Sequence, residues 1–162
     1  MKTLDRQSLR IVHVDDDDDF AEISERWLKR AGFAYPITRC TNGVSAIDYF
    51  SKLEADSAPH VIILDLHMPG ISGLEILHWI RSAYHESDVA VYLLTSSVDP
   101  NHIRLAMLER VTQYLLKKPF FDELIECLDH LIASKNGAPS VEPDQYGSSW
   151  LPKDGQGGGQ RF

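Results

Sequence analysis

Val61-Ile62-Ile63-Leu64-Asp65-Leu66-His67-Met68-Pro69-Gly70 is the stretch whose reading decides the architecture. Four consecutive apolar residues with no alternating polar partner describe a strand covered on both faces, the habit of a parallel sheet. The turn residues Pro69-Gly70 close the segment, so Asp65 is held out at the carboxyl end of the strand. A second apolar stretch, Leu9 to Val14, ends on the acidic run Asp15 to Asp19. Two strands therefore deliver carboxylates at their carboxyl ends, and carboxylates crowded together repel one another unless a cation of high charge density offsets the repulsion. Mg²⁺ suits such a place, because it takes oxygen ligands, keeps several waters, and is held by one or two carboxylates together with phosphate oxygens.

Apolar runs of strand length recur near residues 9–14, 35–40, 60–65, 89–95 and 112–117, with helical periodicity between them. Phe20, Ile23, Trp27 and Leu28 mark the first helical face; Ala46, Ile47, Phe50 and Leu53 the second; Leu74, Leu77 and Ile80 the third. Ile103, Ala106 and Met107 mark the fourth, and Leu124, Leu128 and Leu131 the fifth. Ser72-Gly73-Leu74-Glu75 has the form of a capping box, and Asp99-Pro100 that of an N-cap followed by proline in the first helical position. Strands alternating with helices run parallel, with right-handed crossovers, and give a three-layer α/β (βα)5 sandwich. Pro36 cannot donate to a ladder, which places the second strand at an edge and predicts the order 2-1-3-4-5. Ligands of such a sheet collect where the strand order reverses, between strands one and three, where Asp15, Asp16 and Asp65 all end.

Thr95 and Lys118 stand at the ends of strands four and five and are expected to converge on Asp65. A metal, a lysine, a hydroxyl and a strand-end carboxylate together make a pocket for a phosphoryl group, with Asp65 as nucleophile. Lys118 precedes Pro119, and a cis bond there would turn the lysine toward the pocket; that isomer is expected.

These residues resemble the receiver domain of two-component response regulators, a flavodoxin-like fold phosphorylated on aspartate by histidine kinases. The resemblance spans residues 8–133 and rests on Val14-Asp15-Asp16, on Leu64-Asp65 through Ser72-Gly73, on Leu94-Thr95-Ser96, and on Lys118-Pro119-Phe120. It implies that Asp65 is the phosphoacceptor and Asp16 a direct Mg²⁺ ligand. It further implies that Asp15 acts through water, that the main-chain carbonyl of His67 is another ligand, and that Thr95 and Lys118 grip the phosphoryl group. His67 and Ser97, two residues after Asp65 and Thr95, match positions that tune phosphoryl lifetime. One feature departs from the pattern. The family's aromatic switch lies three residues before the lysine, which here is Leu115, with Tyr114 one earlier and Lys117 resembling an insertion. Either a bulge restores Tyr114 to the switch position, or the coupling of Thr95 to an aromatic ring is absent.

The chain has 162 residues, 43% of them hydrophobic, which suits one well-filled core. We expect an N-terminal extension over 1–7, a receiver domain over 8–133, and a disordered tail over 134–162, rich in Gly, Pro and Ser. A net charge of -8 with no clustered basic patch argues against direct DNA binding. The absence of a long apolar segment predicts a cytoplasmic protein without membrane association. The expected partners are a histidine kinase or histidine phosphotransfer protein and an unknown downstream target met on the face of helix four, strand five and helix five. The chain is expected to be a stand-alone phosphoacceptor rather than an enzyme, or a relay intermediate passing the group onward. A Mg²⁺-dependent aspartyl phosphohydrolase is disfavoured, since the position two after Asp65 holds His67 and not a second acid. The seven histidines include no HExxH, which argues against zinc, and no phosphate-binding glycine loop follows strand one, which argues against flavin.

Overall fold

Alternate residues of every central strand are buried on opposite sides of one sheet, which is why the strands read as unbroken apolar runs. A computed structural model describes residues 2–33, 37–118 and 121–139. Its elements are β1 (Ile11–Val14), α1 (Asp18–Arg30), β2 (Thr38–Cys40), α2 (Gly43–Ser51), a 3₁₀ turn at Ala55–Ser57, β3 (Val61–Leu64), α3 (Gly73–Ala83), β4 (Ala90–Thr95), α4 (Pro100–Leu108), β5 (Gln113–Leu116) and α5 (Asp122–Lys135). All pairings are parallel, in the order β2-β1-β3-β4-β5. Val12, Val14, Ile62, Leu64, Val91 and Leu93 pack with α2, α3 and α4, while Ile11, Val61, Ile63, Tyr92, Leu94 and Leu115 pack with α1 and α5. The expected (βα)5 sandwich and strand order are the ones observed.

The capping devices form as the spacing predicts. Ser72 accepts from Glu75 N and the Glu75 carboxylate accepts from Ser72 N; Asp99 caps α4 ahead of Pro100; Asp17 caps α1. Asp18 and Asp19 fill the first turn of α1, where the helix dipole favours negative charge.

Several boundaries differ. β2 is confined to Thr38–Cys40, and Tyr35 and Pro36 lie outside the described residues. Ser134 and Lys135, expected in the tail, complete α5, and Asn136 beyond them exchanges two hydrogen bonds with the Leu4 backbone. Arg6, expected in a free extension, donates Nε to Asp129 of α5 at 2.8 Å. The disorder expected beyond these residues, and the cis bond expected at Pro119, fall outside the described residues. Ile23 and Met107 are exposed, because each stands at the rim of its helix's apolar face; the buried position next to Ile23 belongs to Ser24.

Gly73 begins α3 directly against the site. A Cβ there would lie 2.2 Å from the Asp65 carbonyl oxygen and 2.8 Å from Leu66 Cα, both backbone atoms that cannot yield. The Gly73 N–H donates to Leu66 O at 2.9 Å, which draws the helix into this contact. Gly73→Ala is therefore expected to cost about 2–3 kcal/mol of stability, read from chemical denaturation, and to displace Asp65 as well.

Candidate functional site

Asp65 and Asp15 are the first residues past β3 and β1, and the ladder carries on through their backbones. Asp65 N donates to Val14 O at 2.8 Å and Asp15 N to Cys40 O at 3.1 Å. Both carboxylates therefore start from rigid strand ends, and both are buried, with 2% of Asp15 and 5% of Asp65 exposed. Asp16 is exposed at the rim. One carboxylate oxygen from each of Asp15, Asp16 and Asp65 lies within 4.8 Å of the others. Asp17 N donates to Asp15 Oδ1 at 2.9 Å, fixing the turn that presents the pair.

The cation in this cup is Lys117. Its Nζ lies 2.8 Å from Asp15 Oδ2, 3.6 Å from Asp65 Oδ1, and 4.4 Å from the centre of the Phe20 ring. Lys118, the residue expected here, points away: its side chain is 55% exposed and its Nζ is 3.7 Å from Glu123 Oε2. The cause is backbone pairing. Lys117 N donates to Thr95 O at 2.7 Å, so the extended chain continues one residue past β5. Alternation along an extended chain then sends residues 115 and 117 to one side and 118 to the other. Leu115 is buried beside α1 and α5, the side on which His13 and Asp15 of the first strand also lie.

With Lys117 in the cup, Tyr114 stands three residues before the lysine without a bulge, and both Tyr114 and Leu115 are buried. The Tyr114 hydroxyl donates to Ser97 O at 2.9 Å. Ser97 N in turn donates to Thr95 Oγ1 at 3.1 Å. Thr95 is fully buried at the end of β4; Leu64 pairs with Leu93, so Thr95 stands one step beyond the level of Asp65. The hydroxyl of Thr95 and the ring of Tyr114 are thus linked through a single residue of the β4–α4 loop.

Two functional candidates escaped the sequence. His102, in the first turn of α4, lies with Nδ1 3.1 Å from Ser97 Oγ and meets the exposed His67 ring edge-on, with centroids 5.1 Å apart. It connects the two positions expected to tune lifetime; its place in the turn after Asp99 was the available signal. His13, on β1, lies with Nε2 3.7 Å from Asp15 Oδ2.

The electrostatics are those of a pair sharing one cation. Burial and the neighbouring Asp15 charge push the Asp65 carboxyl up to about 7, with Lys117 pulling the other way. At Asp15 burial also acts upward, but His13 and Lys117 together outweigh it and hold this carboxyl below its ordinary value. An all-oxygen donor set, two members buried and one at the rim, suits a hard divalent cation with remaining waters, the chemistry of Mg²⁺ rather than of a sulfur- or imidazole-seeking metal.

A family model described as response regulator receiver domain matches residues 11–129. The "Probable methanogenesis regulatory protein FilR2" of Methanothrix harundinacea is 29% identical over 123 residues, covering 75% of this chain and 79% of that protein. The transcriptional regulatory protein CitT of Halalkalibacterium halodurans is 28% identical over 126 residues, covering 78% of this chain and 53% of its own length. The chain thus spans about half of the CitT regulator. Among solved structures, the response regulator TrrA of Thermotoga maritima, in complex with Mg²⁺-BeF, superposes with a TM-score of 0.63 at 31% identity, covering 76% of this chain and 98% of that one.

Proposed function

The chain belongs to the response regulator receiver family, a component of two-component signalling, and from that premise we propose that Asp65 accepts a phosphoryl group from a histidine kinase or phosphotransfer protein. The observation that carries this reading is the convergence of Asp15, Asp16 and Asp65 with Lys117 at one edge of the sheet.

In the transfer a carboxylate oxygen of Asp65 attacks phosphorus while the phosphorus–nitrogen bond of the donor phosphohistidine breaks, and the imidazole nitrogen keeps the electron pair and takes up a proton. Asp16 and Asp65 would hold Mg²⁺ directly, with Asp15 reaching it through water and the His67 carbonyl as a further ligand. When bound, the metal neutralises charge on the phosphoryl oxygens. Lys117 moves the short distance from Asp15 toward Asp65 and pairs with the transferred group, which restores a counter-charge beside the buried carboxylates. Thr95 supplies a hydroxyl to the same group. As the hydroxyl turns inward, its bond from Ser97 N is lost, and the loop held by Tyr114 and His102 has a second arrangement to adopt.

That loop leads into α4, where Leu105 and Leu108 are exposed, as is Val98 just before the helix. The face of α4, β5 and α5 is therefore our choice for the downstream protein contact, with signalling through that contact and not through DNA. A relay use of the same site is separated from an adapter use by adding a histidine phosphotransfer protein to the phosphorylated chain: a relay surrenders its label and an adapter retains it.

The test of the core reading is incubation with acetyl phosphate, or with beryllofluoride, in the presence of Mg²⁺. With acetyl phosphate the expected result is one added phosphoryl group, and with beryllofluoride one bound mimic of it, both lost in Asp65→Asn; modification at another residue overturns the assignment. A further outcome concerns pH. Because the Asp65 carboxyl is raised to about 7, protons compete with Mg²⁺ for it below that value. The rise in melting temperature produced by a fixed concentration of Mg²⁺ should be small at pH 5.5, grow through pH 7 and level off above pH 8. A Mg²⁺ effect that is flat across this range contradicts a raised Asp65 carboxyl.

A further inference from the structure

His13 and Asp15 form a buried contact that the reaction described above leaves unused. The ring of His13 is covered by α1. Phe20 meets it edge-on with centroids 6.3 Å apart, and Ser24 Oγ lies 3.3 Å from Nδ1. Ser24 is fully buried, and its hydroxyl also reaches Ala21 O at 2.9 Å. On the other side of the ring, Nε2 is 3.7 Å from Asp15 Oδ2, with 2% of the His13 side chain and 1% of the Asp15 side chain exposed. Among the described residues, Nε2 of His13 and Oδ2 of Asp15 are the buried side-chain polar atoms that close no hydrogen bond. Lys117 Nζ, 2.8 Å from the same Oδ2, is the counter-charge of this carboxylate.

A buried polar atom without a partner costs about 1–3 kcal/mol, so the unmatched Nε2 of His13, facing a carboxylate held by another cation, calls for a reason. The position of Lys117 provides one. In the resting chain its ammonium compensates Asp15; in the loaded chain, on the reading that Asp65 carries the phosphoryl group, it leaves for that group. Asp15 would then face the metal waters but lose the direct partner of its Oδ2. We propose that His13 is a positioning residue that takes over Asp15 when Lys117 departs, by closing an Nε2–H hydrogen bond to Oδ2. The tautomer with the proton on Nε2 is the one the Asp15 charge favours. Nδ1 then accepts from the Ser24 hydroxyl, which has a choice of two acceptors and can turn between them. The present 3.7 Å must shorten by roughly 0.5–1 Å, within reach of a small rotation about the His13 side chain. The consequence is a carboxylate that stays in place beneath the metal waters throughout the transfer, while the lysine moves. A valine at this position, with the β-branched shape the strand otherwise uses, would fill much of the space and supply no proton.

The inference rests on the receiver reading, and its test separates the two. One sample is loaded with Mg²⁺ and beryllofluoride to measure its affinity; in a second, free of beryllofluoride, the rate of phosphorylation by acetyl phosphate with Mg²⁺ is followed by intact mass. His13→Val is expected to lower that rate and the beryllofluoride affinity about tenfold, the size seen when a residue behind a metal ligand is lost. His13→Gln, which restores an N–H donor, should recover most of the loss. Nitrogen-15 spectra of the wild-type imidazole supply a readout independent of any variant: on loading, the Nε2–H of His13 should take on the signature of a hydrogen bond to a carboxylate. A wild type that loads while His13 gives an unchanged spectrum, or a His13→Val that phosphorylates at the wild-type rate, overturns the handover and leaves the receiver reading intact. A wild type that neither loads nor phosphorylates overturns both.

Discussion

Lys117→Met should lower the rate of Asp65 phosphorylation about a hundredfold, the scale set by removing one preorganised charge stabiliser from a closed site. Lys118→Met should leave it unchanged. The adjacent lysines make a sharp control, since they share side-chain chemistry and differ only in which way the chain sends them. Lys117 sits between two buried carboxylates at 2.8 and 3.6 Å. Lys118 faces solvent beside Glu123 at 3.7 Å, an exposed pair whose loss should change stability by no more than about 0.5 kcal/mol. Losing Lys117 also leaves Asp15 and Asp65 without a counter-charge, so the metal-free protein should lose about 2–3 kcal/mol near neutral pH. Much of that loss should return on adding Mg²⁺, which substitutes one cation for another. Rates from acetyl phosphate and melting curves with and without Mg²⁺ measure both effects. A silent Lys117→Met beside an inactive Lys118→Met would reverse the assignment.

Asp65→Asn is expected to abolish phosphorylation and, in the same molecule, to stabilise the metal-free fold at neutral pH. Folding pulls this carboxyl up to about 7 from an ordinary value of 3.8, through burial and the charge of Asp15. A raised carboxyl binds its proton more tightly in the folded than in the unfolded chain. Between about pH 4 and pH 7 the unfolded chain has therefore released a proton that the fold retains, and the stability contributed by retaining it falls as pH rises through this window. The amide carries no charge to be buried, so the variant should lack that decline and exceed the wild type above pH 7 by on the order of 2 kcal/mol. Mg²⁺ should narrow the difference, since it favours the wild-type carboxylate and not the amide. Denaturation curves at pH 5 and pH 8, with and without Mg²⁺, show whether the sign is right. An Asp65→Asn that is less stable at pH 8 without metal would mean that the site is not strained by its own charge.

Much of the site was legible because its signals are local. Asp65 could be placed at a strand end from four apolar neighbours and a following Pro-Gly turn, and the capping box at Ser72 and Glu75 shows in the spacing alone. The pairing of Asp15 with Asp65 needed only the strand order, which Pro36 and the alternation of elements suggested. The missed residues belong to another class. His13 and Ser24 are eleven residues apart, on a strand and on the helix above it, and neither belongs to a motif; their importance comes from Ser24 meeting one side of the ring whose other side faces the Asp15 carboxylate. His102 matters only because α4 brings its ring against that of His67.

From the order of residues alone came the five alternating strands and helices, the parallel sheet and the acidic edge, because periodicities of two and of 3.6 are written into neighbouring positions. What tertiary structure decided was which of two consecutive lysines enters the cup. That choice depends on how far the fifth strand stays paired, and the bond from Lys117 N to Thr95 O that settles it joins residues from different strands. A lysine and its neighbour look alike in sequence; one backbone hydrogen bond across the sheet places one over the carboxylates and turns the other to water.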